Sequence, residues 1–450
     1  MSNISKIDPL DIARRLGNSI AGDLGANAMV ELELAFVSRL LPKFKDNPHV
    51  RVIIHILLYW MMGFFKSTLL EIFRLTIPQD LEVADVTSMS RECIFGSTDK
   101  YGNPIKPAFV NKAFVIITEL LSFLGSALAM RDIVTTMNVA MEGQKVTRRL
   151  LKLTQPIYRP TLLSDLKSVG VDWDPIEGVM SYIPNICVLT ASTILPEKIL
   201  LYLNQSGFPD RIHVLQHSFT DEELDKLLFQ HHILDQQSLD DLKDVNERLK
   251  NVKVFEMNMP SEEYMKPVYE KLKEIVDDEV SINLHLTKDE ILNPRTIGDI
   301  IRELVAHAFL RTATRNGFTT IEQLEYTEED RDFILKRLYH FIEFKINPLF
   351  HTDRASLRGK RSLVSEAGKE VVLEQLRDGS KKREDLISHV KEVGASKSTL
   401  DNVIFPSLVR DNRICKPAYN FYRLKLTCNS CELRDTCSSS NKDVIMDGGE

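Results

Sequence analysis

The sequence predicts an α/β fold, a parallel sheet wound between helices, and three observations carry that prediction. Short apolar runs at Ile53–Tyr59, Ala113–Ile117 and Ile186–Thr190 are bounded by turn signals, as strands buried on both faces are. Stretches of helical periodicity separate them, and such alternation marks a doubly wound sheet. The third observation is Ile54–Leu70, IHILLYWMMGFFKSTLL, which reads as strand, short loop, Lys66-Ser67-Thr68 and amphipathic helix. That is the layout of a phosphate-binding loop, where backbone N–H groups, a lysine and a hydroxyl surround phosphates at a helix N-terminus. The usual form, G-x-x-x-x-G-K-[ST], has glycine where Trp60 and Phe65 stand here, which leaves Gly63 inside the loop.

At 450 residues the chain has room for two or three domains. With 43% hydrophobic and 27% charged residues it has the composition of a soluble globular protein. The longest apolar run, Val52–Phe65, is too short to cross a bilayer, and no signal peptide opens the chain. An intracellular protein is expected, cytoplasmic and nucleoid-associated, with no membrane partner. Charge is uneven along the chain. Residues 355–426 hold 15 Lys/Arg against 9 Asp/Glu, a net +6, within a total of -7. A basic module on an acidic body suggests that the C-terminal part meets nucleic acid.

Taken in order, residues 1–50 read as helical, with apolar residues at helical spacing over Ile12–Leu16 and Met29–Leu41. The α/β core follows over 51–220, and ligands in such sheets bind at the carboxyl ends of the strands. Lys66, Ser67 and Gly63 follow the first strand, Thr118 and Glu119 the second, and Ser192 and Thr193 the third. An apolar strand ending in acid is the second half of a nucleotide triphosphatase site, where carboxylates hold Mg²⁺ and orient water. Here Thr118 takes the first acidic place, so the metal-holding carboxylate is missing, and a Thr hydroxyl there adds no charge. Residues 221–320 read as a charged helical lid, and 321–361 as a helical and then basic linker. Pro294 suits a helix start, which puts Arg295 in a first turn where the helix dipole disfavours a cation. Arg211 follows a Pro-Asp turn before a short strand-like run.

IHILLYWMMGFFKSTLL resembles the phosphate loop of the minichromosome-maintenance (MCM) replicative helicases, IHVLLVGDPGTAKSQLL, where the residue before lysine is likewise not glycine. Ile54, His55, Leu57, Leu58, Gly63, Lys66, Ser67, Leu69 and Leu70 match. PRTIGDIIRELVAHAFLR resembles that family's second-sensor helix, which implies that Arg295 is the sensor arginine. Met141–Thr147, MEGQKVT, is similar to the family's MEQQTISI, and FPDRIHV to its LLSRFDLI, which implies that Arg211 is an arginine finger reaching a neighbour's γ-phosphate. The likeness covers roughly residues 20–315. It implies an AAA+ ATPase module with ATP and Mg²⁺ as ligands, assembled as a hexameric or other ring of itself or of related AAA+ subunits. Three departures stand out. Trp60 takes the place of the loop's first glycine, where a side chain of that size would crowd the phosphates. Thr118 replaces an aspartate, and Ser192 or Thr193 stands for the first-sensor asparagine. Only about 50 residues precede the first strand, too few for the family's N-terminal oligonucleotide-binding domain.

From 362 to 426 the pattern is three helices and a hairpin: Glu366–Leu376, Arg383–Val393, a third helix to about Arg410, and Ile414–Leu426. This resembles a winged helix, which also ends MCM chains. Its third helix would present Lys397, Ser398 and Asn402 to the DNA major groove, while Lys416, Tyr419 and Arg423 on the wing meet phosphates. Cys415-x12-Cys428-x2-Cys431-x5-Cys437 is a four-thiolate set that suits tetrahedral Zn²⁺ or a [4Fe–4S] cluster, with 427–450 as a metal-binding tail. Cys93 and Cys187 read as buried small hydrophobes. Two functions fit. One is an ATP-driven, ring-forming DNA motor or remodeller of MCM type serving replication of an archaeal-type genome or mobile element. The other is a hydrolysis-deficient AAA+ factor that uses ATP structurally while loading or positioning other factors on DNA.

Overall fold

Alternation within the apolar runs decides where each strand goes. In the computed structural model the strands are β1 (Ile56–Tyr59), β2 (Val83–Asp85), β3 (Phe114–Ile117), β4 (Cys187–Ser192) and β5 (His213–Gln216). They form one parallel sheet in the order β5-β1-β4-β3-β2. Successive side chains point to opposite faces. Ile56, Leu58, Phe114, Ile116, Cys187, Leu189 and Ala191 enter one core, while Leu57, Tyr59, Val115, Ile117 and Val188 enter the other. The structure describes residues 8–61, 63, 65–86, 96–98, 104–124, 127–149, 160–174, 176–217, 220, 222–223, 227, 233–282, 288–346, 369, 371–377, 379–392, 400–410, 414–418 and 421–424.

The first face is covered by the helix Pro9–Leu40, the loop helix Lys66–Thr76 and the helices Gln236–Leu249, Glu262–Ile282 and Pro294–Arg315. Asp8 caps the first of these by accepting from the Leu10 N–H at 2.9 Å. That helix kinks at Ala21-Gly22, folding back so that a Cβ at Gly17 would lie 2.0 Å from the Gly25 carbonyl oxygen. Only glycine permits that approach. The sequence places Leu24-Gly25-Ala26 between its two helical stretches, whereas the break lies at Ala21-Gly22. The second face carries Leu120–Leu124, Ala127–Met141, Glu197–Ser206 and a three-stranded antiparallel sheet, Val146–Arg149, Val179–Tyr182 and Val171–Asp174. That small sheet was not read from the sequence, because its strands are only half apolar.

The chain divides into two compact units, residues 1–350 and 351–450. Ile334, Leu338, Phe341 and Ile342 are buried in the first core, so the stretch read as a linker over 321–361 packs into the first unit through one face over 321–346. Within the second unit lie the helix Arg383–Glu392, a wide π-helical turn at Leu400–Ile404 running into Phe405–Arg410, and a hairpin of Ile414–Ala418 with Phe421–Leu424. A third strand, Lys381–Lys382, pairs on Phe421–Tyr422. Val372, Leu376, Leu386, Val390, Leu400, Ile404, Phe405, Leu408 and Tyr422 close the core of this unit, with Phe405 and Tyr422 stacked 3.8 Å apart.

Candidate functional site

β1 feeds the loop helix on the first face of the sheet, whereas its neighbour β4 feeds Glu197–Ser206 on the second. Adjacent parallel strands whose connections leave on opposite faces open a crevice at their carboxyl ends. The crevice lies between Tyr59 and Ser192, which pair across the two strands. Phe65 enters the loop helix with a φ of 58°, and Gly63 has a φ of 84° with nothing within 4 Å of where a Cβ would stand. The loop is therefore open over Gly63.

Lys66 is buried and turned back on its own loop. Its Nζ donates to the carbonyls of Trp60 at 2.8 Å and Met61 at 2.5 Å, and sits 5.6 Å from the Trp60 ring centre. Burial lowers its pKa to about 8, against a smaller upward pull from Glu119. Trp60 itself is 1% exposed and packed in the first core. The expected crowding of phosphates is thus not what its side chain does; it floors the loop beneath the lysine. Ser67 Oγ donates to the Thr118 carbonyl at 3.3 Å, which ties the loop helix to the end of β3. Glu119 Oε1 accepts from the Leu121 N–H at 3.2 Å and lies 3.5 Å from Ser192 Oγ. Ser192 is buried and its hydroxyl also donates to the Thr193 carbonyl, so of the two candidates Ser192 faces Glu119. Lys66, Ser67, Thr118, Glu119 and Ser192 all meet at the carboxyl ends of β1, β3 and β4. The set fits a polyphosphate through Lys66, the open turn at Gly63 and the helix N-terminus. For a divalent ion it offers less, the Ser67 hydroxyl and a single carboxylate.

Arg211 and Arg295 lie elsewhere. Arg211 precedes β5, whose first residue His213 pairs with Ile56 at the amino end of β1. Its Nε donates to Glu142 Oε1 at 2.6 Å and its Nη1 to the Gly207 carbonyl at 2.6 Å. Arg295 Nη1 donates to Asp210 at 3.0 Å, and its Nη2 lies 3.6 Å from the same Glu142 oxygen. The helix end bearing Glu142 is pinned there by His55. His55 Nδ1 accepts from the Val188 N–H at 3.0 Å, so Nε2 carries the proton and donates to the Met141 carbonyl at 3.1 Å. Burial holds His55 neutral, with its pKa lowered to about 3. Arg51 Nη1 donates to the same carbonyl at 3.1 Å. The four residues of β1 separate the two groups by about 10 Å of strand at ~3.3 Å per residue. Within one chain, then, the arginine pair and Lys66 face opposite ends of the sheet.

Glu142 and Asp210 went unassigned in the sequence. The signal for the first was its place in the MEGQKVT match, and for the second its adjacency to Arg211. Of the second unit's candidates, Asn402 lies on the turn of helix at Leu400–Ile404, and Lys416 and Arg423 lie on the two hairpin strands. Cys415 is buried on the first of these strands. Lys397, Ser398, Tyr419, Cys428, Cys431 and Cys437 lie outside the described residues. Cys187 is buried between β1 and the N-terminal helix, donates to the Ile54 carbonyl at 3.1 Å, and has its thiol pKa pushed up by burial. Among the described residues no helix is long and apolar enough to cross a membrane. No protein-family model matches the chain, and no curated protein matches it.

Proposed function

We propose that the chain binds ATP with Mg²⁺ at the Lys66 loop and acts as a ring-forming AAA+ DNA motor or remodeller of the MCM-helicase type in replication, each site completed by Arg211 and Arg295 of a neighbouring copy. One observation carries this reading: the two halves of the site stand at opposite ends of the same sheet. Lys66, Ser67 and Glu119 would hold phosphates and orient water, while Arg211 and Arg295 of the same chain pair with Glu142 and Asp210 at the far end. On this reading the paired arginines at the amino ends complete the site of an adjacent copy. ATP supplies the phosphoryl group when bound. Lys66 leaves the Trp60 and Met61 carbonyls for phosphate oxygens, and Glu119 orients the attacking water, with Ser192 holding its carboxylate. The basic charge of residues 355–426 supports DNA as the partner, and the four thiolates support zinc or an iron–sulfur cluster in the tail.

Thr118 favours a second reading, in which the site binds ATP but turns it over too slowly to drive a motor. With no carboxylate at that place, Glu119 and the Ser67 hydroxyl are what the described residues of the site offer Mg²⁺.

Mixing separates these readings. Lys66→Ala and Arg211→Ala are each expected to abolish DNA-stimulated hydrolysis, the first by losing nucleotide and the second with nucleotide binding intact. Combined in equal amounts, they are expected to regain a measurable part of the wild-type rate, because some interfaces join an intact loop to an intact arginine. No regain from the mixture sinks the shared site. A wild type that binds ATP but does not hydrolyse it with DNA present establishes the second reading.

A further inference from the structure

Below the arginine pair, three buried side chains from three elements point at one another. Glu31 on the helix Pro9–Leu40, His213 at the start of β5 and Glu303 on Pro294–Arg315 are each almost wholly buried. Their ligand atoms all lie within 4.8 Å of one another. His213 Nδ1 stands 2.8 Å from Glu303 Oε1 and 3.6 Å from Glu31 Oε2. None of these three atoms makes a hydrogen bond of acceptable geometry. The other oxygen of each carboxylate is taken by one guanidinium: Arg337 pairs with Glu31 Oε1, and its Nε donates to Glu303 Oε2 at 3.3 Å.

That division of labour is the point. The outer oxygens are spent on Arg337, while the inner oxygens and the ring nitrogen converge on each other unspent. Buried polar atoms without partners cost free energy, and three converging on one spot mark space for a ligand that all three can hold. We propose that Glu31, His213 and Glu303 bind a zinc ion. The two separations from Nδ1 bracket the roughly 3.3 Å edge of a tetrahedron with bonds of about 2.0–2.1 Å. One imidazole with two carboxylates is a donor set zinc accepts, and three protein ligands leave a fourth place for water. Arg337, by an ion pair to Glu31 and a hydrogen bond to Glu303, supplies the outer contacts that orient ligating carboxylates. Burial lowers the pKa of His213, keeping the imidazole in its ligating neutral form, and holds Glu303 well above the usual carboxylate range, so zinc displaces a proton from it. Phe341 stacks on the His213 ring at 5.4 Å and closes one side.

The inference goes beyond nucleotide binding and does not depend on it. Its consequence is mechanical. His213 is two residues from Arg211, and Glu303 shares a helix with Arg295, so the ion pins the elements that carry both arginines to the N-terminal helix.

The test uses the full chain with Cys428, Cys431 and Cys437 replaced by serine, which removes the tail thiolates as a competing site. After zinc loading and gel filtration, elemental analysis is expected to find one zinc per chain. Adding His213→Gln or Glu31→Gln is expected to remove it while circular dichroism shows a folded protein. Cobalt in the zinc place is expected to give weak visible bands without thiolate charge-transfer absorption. A serine chain that holds no zinc, or holds it equally with His213→Gln and Glu31→Gln, overturns the proposal. Where both variants fail to fold, the unsubstituted serine chain decides. Its melting midpoint rises with zinc concentration if the site exists, and a midpoint indifferent to zinc overturns it.

Discussion

The two ends of the central sheet are held by different forces. At the carboxyl ends, Lys66 bonds to neutral carbonyls, Ser67 to a carbonyl and Ser192 to Glu119, and no ion pair among the described residues joins Lys66 to Glu119. At the amino ends ion pairs stand beside the backbone contacts of His55, Arg51 and Arg211: Arg211 with Glu142, Arg295 with Asp210 and Glu142, Arg302 with Asp299, Arg337 with Glu31 and Glu303. The difference has a physical meaning. A lysine held by weak, neutral partners exchanges them readily for phosphate, whose charge-assisted bonds are stronger. A guanidinium clamped between carboxylates is held in place, but at 17% exposure for Arg211 and 41% for Arg295 the pair still meets solvent. On the proposed reading, one end receives an anion and the other presents cations to a neighbouring copy.

The largest effect that bears on this contrast comes from Glu119, the lone carboxylate among the described residues of the carboxyl-end set. Glu119→Gln keeps the shape and the bond from Leu121 but loses the charge that orients water. Hydrolysis is expected to fall by about 10²–10⁴, with ATP affinity little changed, as read by steady-state rates beside binding isotherms. Equal losses in rate and affinity would mean that Glu119 holds nucleotide and that the contrast between the ends is drawn wrongly.

Much of the carboxyl end was legible in the sequence because its signals are local. Strand, loop, lysine and hydroxyl fall within Ile54–Leu70, and Glu119 closes an apolar run. Trp60 was not legible in the same way. Whether a tryptophan points into a ligand or under it depends on the turn that Gly63 and Phe65 make, and nothing in the residue type says which. The amino end was harder still. Arg211 and Arg295 were singled out, but their common partner Glu142 lies 69 residues from one and farther from the other, with no periodicity linking them. Glu31 and Glu303 were not singled out in the sequence, since a glutamate on a helix carries no sign of burial, and only the packing reveals it.

The N-terminal helix repeats the contrast two residues along. Glu31 meets Arg337, whereas Glu33, fully buried, meets no cation among the described residues; its Oε2 accepts from Asn246 Nδ2 at 3.2 Å. Burial raises its pKa to about 8, with the Asn246 bond pulling the other way. The unfolded chain releases this proton near pH 4.5 and the folded chain near 8, so in that window the folded state binds more protons. Stability from the neutral carboxyl is therefore full below about 4.5 and lost as pH rises through 8, at up to about 1.4 kcal/mol per pH unit. Glu33→Gln, which cannot ionise, is expected to flatten the fall between pH 5 and 8 and to melt above wild type at pH 8.5. A variant with an unchanged pH profile would show that Glu33 finds a cation after all, and that the helix holds both glutamates by one means.

The smallest change tests whether the amino-end cations are held by charge alone. Asn293 caps the helix that carries Arg295, its Oδ1 accepting from the N–H groups of Arg295 at 3.0 Å and Thr296 at 2.9 Å. A cation in a first turn opposes the helix dipole, so Arg295 relies on Asp210, Glu142 and a cap that fixes where its side chain begins. Asn293→Ala is expected to cost about 1 kcal/mol of stability, read from denaturant midpoints at constant slope. ATP affinity at Lys66 should stay at the wild-type value, because the cap and the loop face opposite ends of the sheet. Hydrolysis should fall only modestly, since the two carboxylates still hold the guanidinium after the cap is lost. If hydrolysis instead falls as far as in Arg295→Ala while stability barely moves, the cap aims the arginine and the ion pairs do not. The clamped end would then owe its order to the backbone, and the contrast between the two ends would be one of helix geometry instead of charge.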